Sequence, residues 1–292
     1  MNNRQVAALP AAIAGALSAS CVMAQDMADG PPVEISDSVF GGDFITIGIG
    51  GALSPSYTGS DDYVVSVLPV VLGSYGGVDI SPRAGGVRLD FLPDSDSGVG
   101  FDLGVAARLR NNRAGQIEDA IVLQYGELDH AIEIGPSVGI SIPAVLNPFD
   151  SITASTDVMF DINGAHGGMV VTPSVAYTTP LSRAVLVSLS VSAEWADESF
   201  QDYYFGSDPA NFTGPALDAL PAYDPDGGGF TSVGSNLLLG IDLNGDVTDG
   251  GLGLIVLVGY SRLVGDAADT PFTTVRGSRD QFLGALGLTY TF

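Results

Sequence analysis

The chain ends Asp280-Gln281-Phe282-Leu283-Gly284-Ala285-Leu286-Gly287-Leu288-Thr289-Tyr290-Thr291-Phe292. Its even positions, Phe282, Gly284, Leu286, Leu288, Tyr290 and Phe292, form a mostly apolar side. Its odd positions, Gln281, Ala285, Gly287, Thr289 and Thr291, are small or polar, with Leu283 the exception. Side chains that alternate with a period of two, greasy on one side, belong to a half-buried strand.

The same two-sided pattern recurs upstream. In 98–110, Val99, Phe101, Leu103, Val105, Ala107 and Leu109 oppose Gly100, Asp102, Gly104, Ala106, Arg108 and Arg110. In 130–142, Ile132, Ile134, Val138, Ile140 and Ile142 oppose Glu133, Gly135, Ser137, Gly139 and Ser141. Segments 43–53, 152–162, 168–180, 184–196, 229–241 and 250–262 follow suit, while 63–73 is apolar on both sides. Trp195 and Tyr260 fall near strand ends, where an aromatic girdle sits in membrane barrels.

Residues 1–24 read as a signal peptide: one charged residue, Arg4, an apolar small-residue run from Val6 to Ala19, then Val22-Met23-Ala24 as a small-x-small cleavage site. Cys21 as a lipidated cysteine is the rival reading, but Leu17 stands one place too far from it for a usual lipoprotein box. Cleavage removes the only Cys. Past the leader no run of about 20 apolar residues remains, so a helical membrane protein is excluded. A membrane location then requires a closed barrel, the other way to pair every backbone polar group in lipid. The terminal Phe292, with Tyr290 on the same face, resembles the closing signal that the barrel assembly machinery reads in bacterial outer-membrane barrels. The expected organisation is a signal peptide over 1–24, a periplasmic segment over 25–42 and an all-β, closed antiparallel transmembrane barrel over 43–292, in the outer membrane of a Gram-negative bacterium.

Connector lengths set the strand number. With 76–92 split near Pro82-Arg83-Ala84 into two short strands, 74–76, 93–97, 143–151, 181–183 and 242–249 land on one end, and the long connectors 111–129, 197–228 and 263–278 on the other. Even counts, short periplasmic turns and longer outer loops are the bacterial rule. Twelve strands satisfy it, with ten as the alternative.

Charges follow the small side of the strands: Arg88, Asp90, Asp102, Arg108, Arg110, Glu133, Asp157, Asp161 and Glu194. Turned to lipid, an Arg near the midplane would cost about 2–4 kcal/mol. Turned inward, these residues are expected to pair and fill the lumen, with a selective conduit as the alternative. All ten basic residues are Arg against 34 acidic ones, a net charge of −24, which excludes nucleic acid as a partner. Acidic connectors such as Asp94-Ser95-Asp96 and Asp224-Pro225-Asp226 read as solvated loops, and outer-membrane lipid and lipopolysaccharide are the expected surroundings of the barrel. The two histidines, His130 and His166, have no serine two residues on and read as rim residues rather than a lipolytic centre. Asp242 to Asp249 lacks the Gly and Glu of a calcium loop. No catalytic, cofactor or metal site is expected.

Tyr57-Thr58-Gly59-Ser60-Asp61-Asp62-Tyr63 before Leu68-Pro69, then Tyr204-Phe205-Gly206, Leu220-Pro221-Ala222-Tyr223, Gly259-Tyr260-Ser261-Arg262-Leu263 with Gly265-Asp266, and Arg276-Gly277-Ser278-Arg279 leading into the last strand, resemble the MipA/OmpV family in order and spacing. The resemblance spans nearly all of the mature chain. It implies an outer-membrane barrel of the MltA-interacting type, whose named member is a non-enzymatic scaffold between a lytic murein transglycosylase and a peptidoglycan synthase. Other members are surface antigens or stress-response proteins. Absent Lys, and Asp280 where relatives often carry Asn, are departures whose role the resemblance does not assign.

Overall fold

The computed structural model describes residues 38–92 and 98–292; the leader, most of 25–42 and Asp94-Ser95-Asp96 lie outside the described residues. Twelve strands run in chain order: β1 (Phe44–Pro55), β2 (Tyr63–Tyr75), β3 (Val78–Arg83), β4 (Gly86–Asp90), β5 (Gly100–Arg110), β6 (Ala131–Pro143), β7 (Ser151–Asp161), β8 (Met169–Ser182), β9 (Val185–Ala196), β10 (Gly229–Asp242), β11 (Gly251–Leu263) and β12 (Asp280–Thr291). Each pairs antiparallel with its sequence neighbour, and β12 closes on β1 from Thr46↔Thr291 to Leu53↔Gly284. The twelve-strand reading is therefore correct, including the two short strands, whose turn falls at Ala84 and Gly85.

Alternation decides which way each strand faces. On β5, Phe101 is 65% exposed on the outer wall while Ala106, one of the inward residues, is fully buried. The outer wall carries Ile47, Ile49, Leu103, Val138, Val175, Leu286 and their like, so a lipid-facing band surrounds a polar bore. The first described residues and the last strand meet at the short-turn end: Phe292 N donates to Ile45 O, and Val39 N to Thr248 O in the β10–β11 turn.

The long connectors at the opposite end carry four short helices: α1 (Ala120–Leu123), α2 (Glu198–Phe205), α3 (Gly265–Asp269) and α4 (Pro271–Thr274). Asp119 caps α1 by accepting from Ile121 N and Val122 N, and Asp197 caps α2 by accepting from Phe200 N. Two apolar clusters gather there, one on Phe200, Tyr204, Phe205, Leu263 and Ala267, the other on Tyr57, Ile117, Val122, Leu220 and Phe272. The largest buried apolar side chains thus belong to a cap over the outer mouth and not to the wall.

Where β1 meets β12 the wall coils so tightly that Gly50 is required. A Cβ there would run into the Leu286 carbonyl oxygen and Gly287 Cα of β12. Gly50→Val is expected to block closure, read as loss of the compact, heat-modifiable band on electrophoresis, whereas Gly51→Val on the open outer face assembles normally.

Candidate functional site: the bridged lumen and its cap

Inward charges of β5, β6 and β9 meet across the bore. Arg108 Nε donates to Glu133 Oε2 at 2.8 Å, and Arg110 Nε to Glu133 Oε1 at 2.7 Å. Arg110 Nη2 then reaches Glu194 Oε2 at 2.8 Å, with Arg108 Nη1 at 3.4 Å from the same oxygen. Two guanidiniums and two carboxylates thereby neutralise one another between strands four places apart in the wall. Glu133 is fully buried, so its full set of donors is what makes its charge tolerable. Thr231 Oγ1 donates to Glu194 Oε1 at 3.1 Å, and the Arg110 guanidinium lies 4.7 Å from the Phe200 ring centre in α2.

A second bridge forms lower in chain order. Arg88 contacts Asp90 and lies 3.2 Å from Asp102, while Asp90 Oδ1 also accepts from Leu92 N and Leu103 N. Arg83 of β3 reaches Asp157 of β7 at 2.9 Å, again across four strand positions, and Ser137 Oγ donates to the other Asp157 oxygen.

Two placements differ from the sequence reading. Asp161 joins no ion pair among the described residues; its carboxylate accepts from Asn163 N, Gly164 N, His166 N and Gly167 N and so shapes the β7–β8 turn. His166 is no rim residue, because that turn carries it inward, where its Nδ1 accepts from Gly168 N and its Nε2 donates to Glu133 Oε1 at 3.2 Å. His130 remains exposed, against Asn111 Oδ1 at 2.8 Å. Sequence reasoning missed Arg83, though it shares inward parity with Asp79 and Ser81, because the hairpin split was drawn through it. Nothing local in the sequence marks His166 or Thr231.

The family-like motifs, far apart in the chain, converge over the β1–β12 closure. Ser60 bridges Gly277, Ser278 N donates to Gly59 O, and Gln281 links Gly59 N to Ser60 O through its amide. Gly59 has φ +103°, a backbone that favours glycine. Tyr63 Oη accepts from Phe282 N, and Tyr260 Oη and Arg262 Nη1 both donate to Asp280 Oδ1 at 2.7 Å. Asp62 O accepts from Ser56 N, Asp266 Oδ1 accepts from Tyr223 Oη at 2.7 Å, and Arg279 pairs with Asp269. Gly265 has φ +55° at the start of α3, Asp61 is exposed, and the Tyr290 and Phe292 rings lie 4.7 Å apart at the other end of β12.

Inside the cap, Arg113 is buried with its guanidinium 4.1 Å from the Phe272 ring centre, and burial pushes its pKa down to about 10. Arg276 grips Asp119 through Nε and Nη2 at 2.9 and 2.6 Å. Burial opposes ionisation of Asp119, but the Arg276 side chain and the Val122 and Ile121 amides outweigh it and hold the carboxyl below the usual range.

From residue 47 to residue 292 the sequence matches the family described as MltA-interacting protein MipA. A search of curated proteins gives no match. Among solved structures, an outer-membrane channel from Pseudomonas putida F1 is similar at 14% identity and a TM-score of 0.43, over 86% of this chain and 96% of that one. OmpT of Vibrio cholerae is similar at 8% identity and a TM-score of 0.37, over 85% and 97%. Such likeness concerns the fold alone.

Two outcomes test this geometry. Glu133→Gln leaves two buried guanidiniums short of a counter-charge and is expected to cost about 3–5 kcal/mol, read from the urea midpoint in lipid vesicles; Glu194→Gln, which retains some solvent contact, costs less. A carboxyl whose folded pKa is depressed stabilises above its unfolded value of about 3.9 and loses that contribution as pH falls below it. Limited proteolysis of the cap is therefore expected to accelerate on acidification, and Asp119→Asn to flatten that response. With a closed twelve-stranded sheet, an apolar outer wall, an ion-paired bore and a match running from residue 47 to the C-terminus, the chain belongs to the MipA family as an outer-membrane β-barrel.

Proposed function

We propose that this barrel is a non-enzymatic outer-membrane anchor that holds murein-remodelling enzymes, a lytic transglycosylase and a peptidoglycan synthase, through its periplasmic turns. The observation that carries the reading is the β6–β7 turn. Val145, Leu146 and Phe149 stand exposed there, Leu146 at 78% and Phe149 at 57%. The turn holding them is rigid: Asp150 accepts from Val145 N, Leu146 N, Asn147 N and Tyr177 Oη, and Asn147 Nδ2 donates to Thr179 Oγ1 at 3.1 Å. An apolar, aromatic knob fixed before binding avoids the ordering cost that weakens flexible contacts.

The bridged bore and filled cap favour an anchor over a conduit. Among the described residues the histidine ring nitrogens meet Asn111, Glu133 and Gly168, an arrangement of structural contacts and not of a serine–histidine pair.

Crosslinking the protein in its own envelope and purifying it is expected to recover a transglycosylase or a synthase. Leu146→Glu/Phe149→Glu is expected to cut that recovery about tenfold while the barrel still folds. A wild-type sample free of both enzyme classes overturns the reading, as do steady single-channel steps in planar bilayers.

A further inference from the structure

Among the described residues the wall has one long break in its strand pairing, between β2 and β3. β2 pairs with β1 from Tyr63 to Ser74 but with β3 only at Gly73↔Ile80, Ser74↔Asp79 and Tyr75↔Val78. Among the described residues, β2 from Tyr63 to Leu72 has no strand partner on its β3 side. The short β3–β4 hairpin stops early and leans instead on β5, where Leu109 N donates to Gly85 O.

Hydrogen-bond parity shows which groups face the gap. Phe292 N donates to Ile45 O, so odd residues of β1 address β12 and even ones address β2. Ser56 N donates to Asp62 O in the same register, which turns the even residues of β2 toward β1 and the odd ones, Val65, Val67, Pro69 and Val71, toward the seam. Beyond Gly73↔Ile80, the next rungs would set Val71 against Pro82 and Pro69 against Ala84. Pro82, like Ile80, addresses β2, so each of the two strands has a proline with no N–H on the side that faces the break. Proline sits in sheets where no partner strand needs its donor, and here it removes the donors that would zip the seam shut. Exposure agrees: Val65 and Val67 are each 73% exposed, above Ile49 and Phe101 at 65% on the paired wall.

The bore beside this seam differs from the rest. The inward side of β2 is Val64, Ser66, Leu68, Val70 and Leu72, with Ser54 of β1 opposite Val64; Leu283, the residue that broke the alternation of β12, lies one position past the last β1–β12 pair at Leu53↔Gly284. Among the described residues, the strand-borne ion pairs that face the bore lie on β3 to β9, and the Arg262–Asp280 pair of β11 and β12 is exposed at the rim. The lumen thus has an apolar flank, and the flank borders the only long unpaired strand edge among the described residues.

We propose that the β2–β3 seam is a lateral portal through which the acyl chain of an outer-membrane lipid passes between the bilayer and the apolar flank of the lumen. The chemistry selects this occupant. An added strand would find no donor at Pro69, and an ion would find no ligands among Val64, Leu68, Val70 and Leu72. A hydrocarbon chain matches those side chains, and the polar head at its end supplies hydrogen-bonding groups to the unpaired backbone at the end of the seam that it reaches, which lipid tails alone cannot do. This inference goes beyond the anchoring role and does not depend on it, because it concerns the wall and not the periplasmic turns.

The test uses the wild-type barrel in vesicles of phosphatidylethanolamine carrying a diazirine on its acyl chain, with adducts mapped by mass spectrometry after illumination. Adducts are expected on the outer wall and, within the lumen, on Leu68, Val70 and Leu72, but not on Ser137, Ser155 or Ser174. In Pro69→Val/Pro82→Val, which restores both donors, the lumen adducts are expected to fall about tenfold while those on the outer wall persist. Three results would overturn the portal: outer-wall adducts with none inside β2, equal labelling of every inward strand, or unchanged lumen labelling in the double variant. A crosslinked dimer joined through β2 would likewise replace it with strand pairing between copies.

Discussion

Inside a bilayer a backbone N–H or C=O has no water to fall back on, so each strand must find two neighbours or meet the shortfall another way. The β1–β12 ladder meets this demand for the two ends of the chain, and its tight coil leaves no room for a side chain on Gly50. The same demand gives the seam above Gly73↔Ile80 its meaning. Prolines at 69 and 82 lower the number of stranded donors just where the hairpin is too short to supply partners.

Once the wall is closed, the bore becomes a place where charge is expensive unless matched. Glu133 carries the heaviest load: it is fully buried, accepts from Arg108 and Arg110, and is approached by His166. The match ties the barrel across a chord, from β5 to β9 and from β3 to β7, and among the described residues leaves the lumen side of β12, β1 and β2 free of ion pairs. An asymmetric lumen follows, ionic along β3 to β9, uncharged and small-sided along β12 and β1, and apolar along β2.

The motifs on which the resemblance to the family rests sit outside this network. They tie the β1–β2 loop to the β11–β12 loop directly above the closing ladder, through Gly59, Ser60, Gly277, Ser278 and Gln281, while Tyr63 and Asp280 lock the first rungs. Their common task in this chain is to hold the cap and the closure together. That explains why residues more than two hundred positions apart come together in one pattern.

Much of the wall was legible from the chain alone. Alternation in 98–110, 130–142 and 280–292 encodes strand, facing and membrane at once, because a period of two admits a single register against lipid. Connector lengths then separated the two ends and gave twelve strands. The inward parity of Arg108, Arg110, Glu133 and Glu194 was equally plain. Which of them would meet was not, since contacts across a bore depend on its radius and stagger, which no local pattern contains. Tertiary structure alone carried His166 inward on a turn shaped by Asp161, joined Arg83 to Asp157, and stopped β3 and β4 short of β2. Sequence determines how a strand divides its faces, whereas closure of the cylinder decides which side chains share the space inside it.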